Sequence, residues 1–480
     1  MSKQLLAAIM IALPCSVSAA DVLKADRLYK ESNYPQALVE YEKAADLGLG
    51  HAHYQLAVMH NFGKGTEQDS LNALIYFSMA ADKNYHDAAN MVDKMLAKLP
   101  ADNRAEINAM LAKVKAQLQQ NNNATTYNPA INPQHIGKRV TFGGKQELQQ
   151  RFHPDDWETD SLYEFLEESA EYSGETAFMM STPSKPFLIV DNDISEDGTV
   201  RNLSEIQRFG WTKTLVDNYA LFPGDKPEFD GEPVEFVNRA YLGAAAFNRD
   251  ALRNDNEKLY EGIRRHVYKL KEGTTLSERY EYAIALLNFS WISREEGEVE
   301  QRLLALANEG HPSAMYEYGM KLYREQRDIE VAVHWITQAS KYGLARAEYR
   351  LGKLLQTSPW VIHDDKKALF WYQSAITKDH LASTLRAIDI KLNSSDNSLR
   401  DLDGAIAYLE QIKESHNRHP EYFYLLAVSH INREGRDFTQ VVKNMRQAIS
   451  EGQRKNWDVS AWQYHLDQLT EGNVYIIEES

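Results

Sequence analysis

Ala37-x-x-x-Tyr41-x-x-Ala44-Ala45-x-x-Gly48-x-x-x-Ala52 decides how this chain folds. The pattern returns thirty-six residues on, as Ala73-x-x-x-Phe77-x-x-Ala80-Ala81-x-x-Asn84-x-x-x-Ala88 (37 to 73, 41 to 77, 52 to 88). A fixed period of this length is the mark of a repeat architecture, in which each unit buries its apolar face only against its neighbours. Small Ala and Gly residues let two helices approach closely, and the aromatic residue one turn away fills the space between them. The Tyr, Phe and Trp residues of the pattern are therefore read as packing residues.

Near the C-terminus Ala332, Trp335, Ala339, Gly343 and Ala347 make one more unit, and Ala368, Trp371 and Ala375 the next. Weaker copies follow around Ala405-Tyr408 and Ala448-Gly452. A second motif marks the first helix of a unit: Ala52-x-Tyr54-x-Leu56-Ala57, Ala314-x-Tyr316-x-Tyr318-Gly319 and Ala347-x-Tyr349-x-Leu351-Gly352. With the Gly63-Lys64-Gly65 turn, Asp69 and Ala73, these residues resemble the Sel-one-like (Sel1-like) subclass of tetratricopeptide repeats. The resemblance covers about 21–115 and about 275–470. It implies α-solenoids that bind other proteins.

The N-terminus reads as a cleavable export signal. Lys3 precedes the apolar run Leu5 to Leu13, then Pro14 and the small residues Val17-Ser18-Ala19-Ala20 before Asp21. Cleavage after Ala19 or Ala20 fits the small-residue rule. No later run approaches the about 20 apolar residues that span a bilayer. Cys15 is the single cysteine, and Pro14 before it argues against a lipidated N-terminus. A chain cut after it has no disulfide, thiol nucleophile or thiolate metal site. The expected setting is the periplasm.

Residues 117–160 read as a linker and irregular segment, since Gln117 to Pro133 is rich in Gln, Asn, Ala and Thr. Ser161 to Tyr172 has the pattern of a short helix with an acidic face. From Lys185 the chain becomes strand-like. Phe187 to Ile194 is one strand, Ser195-Glu196-Asp197-Gly198 a turn with Gly198 suited to a left-handed backbone, and Thr199 onward a second strand. A short helix is expected over Thr212 to Tyr219, and a last strand from Val234 through Phe236 to Phe247. This strand, strand, helix, strand block resembles the C-terminal domain of TonB, the energy transducer of the Gram-negative envelope. Ile194 before Asp197-Gly198, then Val200 and Asn202, Tyr219-x-Leu221-x-Pro223 and Gly231-x-Pro233-Val234 carry the likeness over about 181–248. Two features depart from that family: the usual Tyr-Pro lead-in is missing, and Asn192 stands where an apolar residue is usual. The resemblance implies recognition by adding a partner's strand to a sheet edge, and hence Val234, Phe236, Val237, Tyr241 and Phe247 as contact residues.

Other chemistry finds less support. The formal net charge of −16 argues against a nucleic-acid partner. Asp191-x-Asp193-x-Ser195 has the spacing that opens a calcium loop, but the sixth position is Glu196 and the twelfth Asn202, so a hairpin turn explains it better. His51, His53 and His60 lack a His-Glu-x-x-His arrangement, and His51 and His53 point to different helix faces. Gly63-Lys64-Gly65 lacks the rest of a phosphate loop, and no Gly-x-Ser-x-Gly elbow occurs.

The expectation is a mainly α protein: signal peptide 1–20, N-terminal repeats 21–116, linker 117–160, α+β domain 161–248 and C-terminal repeats 249–480. It is expected to be a non-enzymatic scaffold with no cofactor and no metal. The implied partners are proteins of TonB-dependent transport, among them TonB-system components and outer-membrane receptors. The alternative is a regulator or assembly factor of envelope and cell-wall proteins.

Overall fold

The computed structural model describes residues 20–121, 126–144, 186–221, 224–292, 294–435 and 437–471. The expected leader, up to residue 19, and the expected helix at 161–172 lie outside them. Twenty α-helices and six strands occur among the described residues. The chain divides into two bodies that do not follow chain order. One takes residues up to 129 with 334–353 and 366–383; the other takes 130–333, 354–365 and 384–480.

The first body begins with α1 (Val22–Lys30), α2 (Tyr34–Asp46), α3 (Gly50–Phe62), α4 (Ser70–Ala81), α5 (Ala88–Ala97) and α6 (Ala101–Asn121). The repeat positions are its core. Ala37, Tyr41, Ala44, Ala52, Leu56, Ala57, Ala73, Phe77, Ala80 and Ala88 are all buried. The expected linker is shorter than its composition suggests, because α6 runs to Asn121. Gln and Ala are good helix formers, so they extend the helix instead of breaking it.

The period also fixes the turns. Gly48 has φ +75, its N–H donates to the Ala45 carbonyl and that of Leu49 to the Ala44 carbonyl. This is a Schellman ending, which satisfies carbonyls the helix leaves open. Asn84 with Tyr85 and Asp379 with His380 repeat it. Asp69 then caps α4 by accepting from the N–H groups of Leu71 and Asn72 at 2.9 and 3.0 Å. Gly63, at φ +64, closes α3, and the Lys64 ammonium lies 4.8 Å from the Tyr29 ring and 5.1 Å from that of Tyr34. The run that looked like a phosphate loop is thus a helix ending held by a cation–π contact.

Distant repeat segments join in this body. The Val22 N–H donates to the Tyr342 carbonyl. The Trp371 indole donates to the Tyr127 carbonyl at 2.9 Å, and Tyr127 stacks on Phe370. A Cβ placed on Gly352 would lie 2.5 Å from the Tyr372 ring, so the small residue of the motif serves a close approach.

In the second body β2 (Phe187–Ile194) pairs antiparallel with β3 (Val200–Phe209) and with β6 (Phe236–Gly243), in the order β3-β2-β6. A second small sheet joins β1 (Thr141–Phe142), β4 (Pro227–Phe229) and β5 (Glu232–Pro233). Helix α7 (Lys213–Leu221) connects β3 to β4. The expected strand, strand, helix, strand order is present as β2, β3, α7 and β6, with the short β4 and β5 between α7 and β6; the last strand, expected from Val234 to Phe247, runs only over Phe236–Gly243, and a tight turn at Ala244–Ala246 ends it. Helices α8 (Arg249–Asp255), α9 (Glu257–Lys271), α10 (Leu276–Asn288), α11 (Glu298–Asn308) and α12 (Pro312–Arg324) follow. Phe187 and Ile189 of β2 share one core with Leu252, Leu259, Leu286 and Leu303 of these helices. Buried Trp360 packs against Phe229, Phe236 and Tyr323, and its indole donates to the Lys138 carbonyl.

The remaining helices are α13 (Ile329–Lys341), α14 (Ala345–Thr357), α15 (Asp365–Ile376), α16 (Leu381–Asn393), α17 (Leu402–Ile412), α18 (Pro420–Ile431), α19 (Phe438–Arg454) and α20 (Ser460–Thr470).

Candidate functional site

Every residue of β2 is buried, Asp191 included. Its charge is answered in register. Asp191 sits opposite Arg239 of β6, whose guanidinium donates to both carboxylate oxygens at 2.7 and 2.9 Å. Arg239 also meets Glu317 of α12 at 2.9 Å, and Arg324 lies 3.6 Å from Asp191. Two cations and two anions thus share one buried site. Burial opposes the charge of Arg239, but Glu317 and Asp191 hold its pKa well above the ordinary value. The same burial lowers Arg324, whose neighbour Arg239 adds like charge. Such a cluster ties the sheet to a repeat helix. A charged residue in each of two pairing apolar strands was the sequence signal for it, and sequence reasoning missed it.

The expected contact residues are placed accordingly. Phe236 and Val237 are buried, while Val234, Tyr241 and Phe247 are half-buried. Phe236 packs on Phe142, Tyr323 and Trp360, and Tyr241 and Phe247 lie against the helical core. β3, at the other end of the sheet, is more open. Ser204, Glu205, Arg208 and Phe209 are exposed, and Trp211 just beyond is 75% exposed. Among the described residues β3 pairs only with β2.

The Ser195–Gly198 turn is also engaged. Gly198 has φ +83, and a Cβ there would lie 2.3 Å from the Gly224 carbonyl oxygen. Burial works against the Asp197 carboxylate, but hydrogen bonds from Ser195 and Thr199 and the charge of Arg201 pull it down to about 2. The Asp458 N–H donates to it at 3.1 Å, and Arg201 lies 4.3 Å from the Trp457 ring centre. Asp193 accepts from the Asn202 amide. The residues with calcium-loop spacing are therefore spent on an ion pair and a turn.

The histidines diverge. His51 bonds Asp26 at 2.8 Å and the Tyr85 hydroxyl at 2.6 Å. His53 and His60 stack on Tyr76 instead. Burial pushes His53 down to about 4 and also lowers His60. Among the described residues no three His, Cys, Asp or Glu side chains stand as a metal site.

The helix pairs α3–α4, α12–α13 and α14–α15 correspond to residues 50–85, 312–343 and 345–380, which match the profile of the Sel1 repeat. These hairpins are Sel1 repeats. A stretch of 68 residues, 14% of this chain, is 40% identical to protein sel-1 homolog 2 of Homo sapiens and spans 10% of that protein. Among solved structures, 82% of this chain aligns with the whole of a Sel1 repeat protein from Oxalobacter formigenes at 12% identity and TM-score 0.27. In a separate alignment, 96% of this chain matches 88% of a protective antigen of uropathogenic Escherichia coli that displays an SLR fold, at 15% identity and TM-score 0.29. No described helix is long and apolar enough to cross a membrane.

Proposed function

We propose that this chain is a non-enzymatic periplasmic scaffold that holds protein partners and serves as an accessory adaptor of TonB-dependent transport. The observation that carries the scaffold reading is the consumption of the repeat aromatics in packing. Tyr41, Phe77, Trp371 and Tyr372 are buried between helices, so they build a surface and are not themselves a ligand cage. The periplasmic setting rests on the leader-like pattern of residues 3–20. The partner class rests on the TonB-like motifs together with the strand, strand, helix, strand order.

If recognition is by strand addition, the edge assigned to it is β3 with Phe209 and Trp211. The side chains of β6 are taken up by the protein's own core. That same burial favours a second reading, in which the central sheet braces the repeats and the chain regulates or assembles envelope proteins.

A photo-crosslinking side chain placed at Ser204, at Trp211 and at an exposed position on helix α9, Tyr268, tests this in cells. Capture of TonB-system proteins at Ser204 and Trp211 supports the first reading. Capture of cell-wall enzymes, or capture at Tyr268 alone, supports the second. No protein captured at any position refutes the scaffold.

A further inference from the structure

We propose that the outward face of α9 is a docking surface for an anionic lipid bilayer, with Lys258, Arg265 and Lys269 against the headgroups and Tyr268 among them. This surface adds a place of attachment to the scaffold reading and does not depend on it.

Helix α9 is the amphipathic stretch Glu257–Lys271. Its apolar side is already spent: Leu259, Tyr260, Val267 and Leu270 are buried in the core that also holds Leu252, Leu286 and Leu303. What remains outward is cationic. Lys258, Arg264, Arg265, Lys269 and Lys271 are all exposed. Within the helix these five stand against two carboxylates, Glu257 and Glu261, whereas the whole chain carries 69 Asp and Glu to 53 Lys and Arg. Spacings of seven and four put Lys258, Arg265 and Lys269 on one side of the helix, along about 16 Å of its length.

A helix face that only meets water is usually laced with opposite charges one turn apart, because like charges there repel. Neighbouring helices follow that habit: Glu298 of α11 meets Arg302 at 2.7 Å, and Lys321 of α12 meets Glu325. In α9, Arg265 and Lys269 stand one turn apart with like charge, and Arg265 Nε donates to the Glu261 carbonyl at 3.3 Å. Among the described residues Arg264 is the one of the five that meets a carboxylate, Glu261 at 3.4 Å. Glu278 and Glu298 lie within electrostatic reach of Lys269 and Lys271, but they are bonded to Thr275 and Arg302. The charge on this face is left for a second, anionic surface to neutralise.

The chemistry of the face selects lipid. Protein interfaces deplete Lys at their core and fill it with apolar area. The exposed face of α9 offers one large ring, Tyr268, 73% exposed. A sheet of anionic headgroups asks only for charge on a convex ridge, and a tyrosine ring rests well at headgroup level. With the apolar side of α9 held in the core, the contact is adsorption and not insertion. The net charge of −16 makes the same bilayer repel the rest of the chain, so this helix leads the approach.

The full chain is sedimented with vesicles of equal parts phosphatidylglycerol and phosphatidylcholine, and with vesicles of phosphatidylcholine alone, which read any adsorption that charge does not drive. Binding to the anionic vesicles is expected at low salt and is lost at high salt, where the charges are screened. Each cation near such a surface is worth about fivefold, so Lys258→Gln, Arg265→Gln and Lys269→Gln together are expected to weaken binding about a hundredfold. The exchange Lys258→Arg, Arg265→Lys and Lys269→Arg is expected to keep it. Equal binding to both kinds of vesicle, or a glutamine variant that binds as the unaltered chain does, overturns the proposal. Cation-dependent binding to soluble polyglutamate, with none to the anionic vesicles, overturns it in favour of an acidic protein. The assay needs neither export nor a TonB-system protein, so its failure leaves the scaffold reading standing.

Discussion

Replacing Arg239 with Met should open the second body from within. Asp191 and Glu317 would lose the guanidinium that meets both. Removing one partner from such a cluster costs about 3–5 kcal/mol, because an uncompensated charge stays buried. With a urea dependence of about 2–3 kcal/mol per molar, the unfolding midpoint should fall by about 1.5 M. Two bodies in one chain make a single global midpoint ambiguous. The assay is therefore hydrogen exchange against urea, read on peptides from β2, β6 and α12. Glu317→Gln keeps the shape and removes one charge, so it should show a smaller loss. Replacing all four residues by Leu and Met should be near neutral, since apolar side chains of similar volume substitute well for buried ion pairs. A single Arg239→Met variant whose three peptides keep their midpoints within about 0.2 M would refute the idea that the cluster holds the sheet to the repeat helix.

Acid should loosen the first body: burial pushes His53 down to about 4, so between its ordinary value and that point the unfolded chain binds a proton that the folded chain does not, and stability falls as pH drops. The contribution is about 3 kcal/mol, and His53→Phe should flatten a melting curve followed from pH 7 to 4. Glu348 runs the other way. Burial raises it to about 7 despite Lys378, so stability should fall as pH rises from about 4.5 to 7, and Glu348→Gln should remove that slope in the same melts. Gly198→Ala should destabilise by about 1–3 kcal/mol, through its left-handed backbone and the nearby Gly224 carbonyl, with faster exchange at 195–200 as the readout.

Much of this fold is legible in the sequence because the repeat writes each structural need at a fixed position. Ala37 and Ala73 are small where helices touch, Tyr41 and Phe77 are large where space must be filled, and Gly48 and Asn84 tolerate the left-handed turn. The hairpin around Gly198 is legible for the same local reason. What local pattern does not carry is partnership across the chain. Nothing near Glu317 announces Arg239, and nothing near Trp360 announces Phe236, although both contacts decide which face of the central sheet is buried. The same gap explains why β6 reads as a candidate binding edge: nothing local to Phe236 announces that Phe142, Tyr323 and Trp360 pack on it.

The first body is built from residues up to 129 and from segments that begin at 334. A chain made at about 5–20 residues per second needs about 10–40 s to cover the roughly two hundred residues between them. Throughout that interval the leading hairpins exist without the surface that Tyr342 and Gly343 provide. The nascent chain thus has a built-in delay during which its first repeats remain unfinished and available to the proteins that escort it.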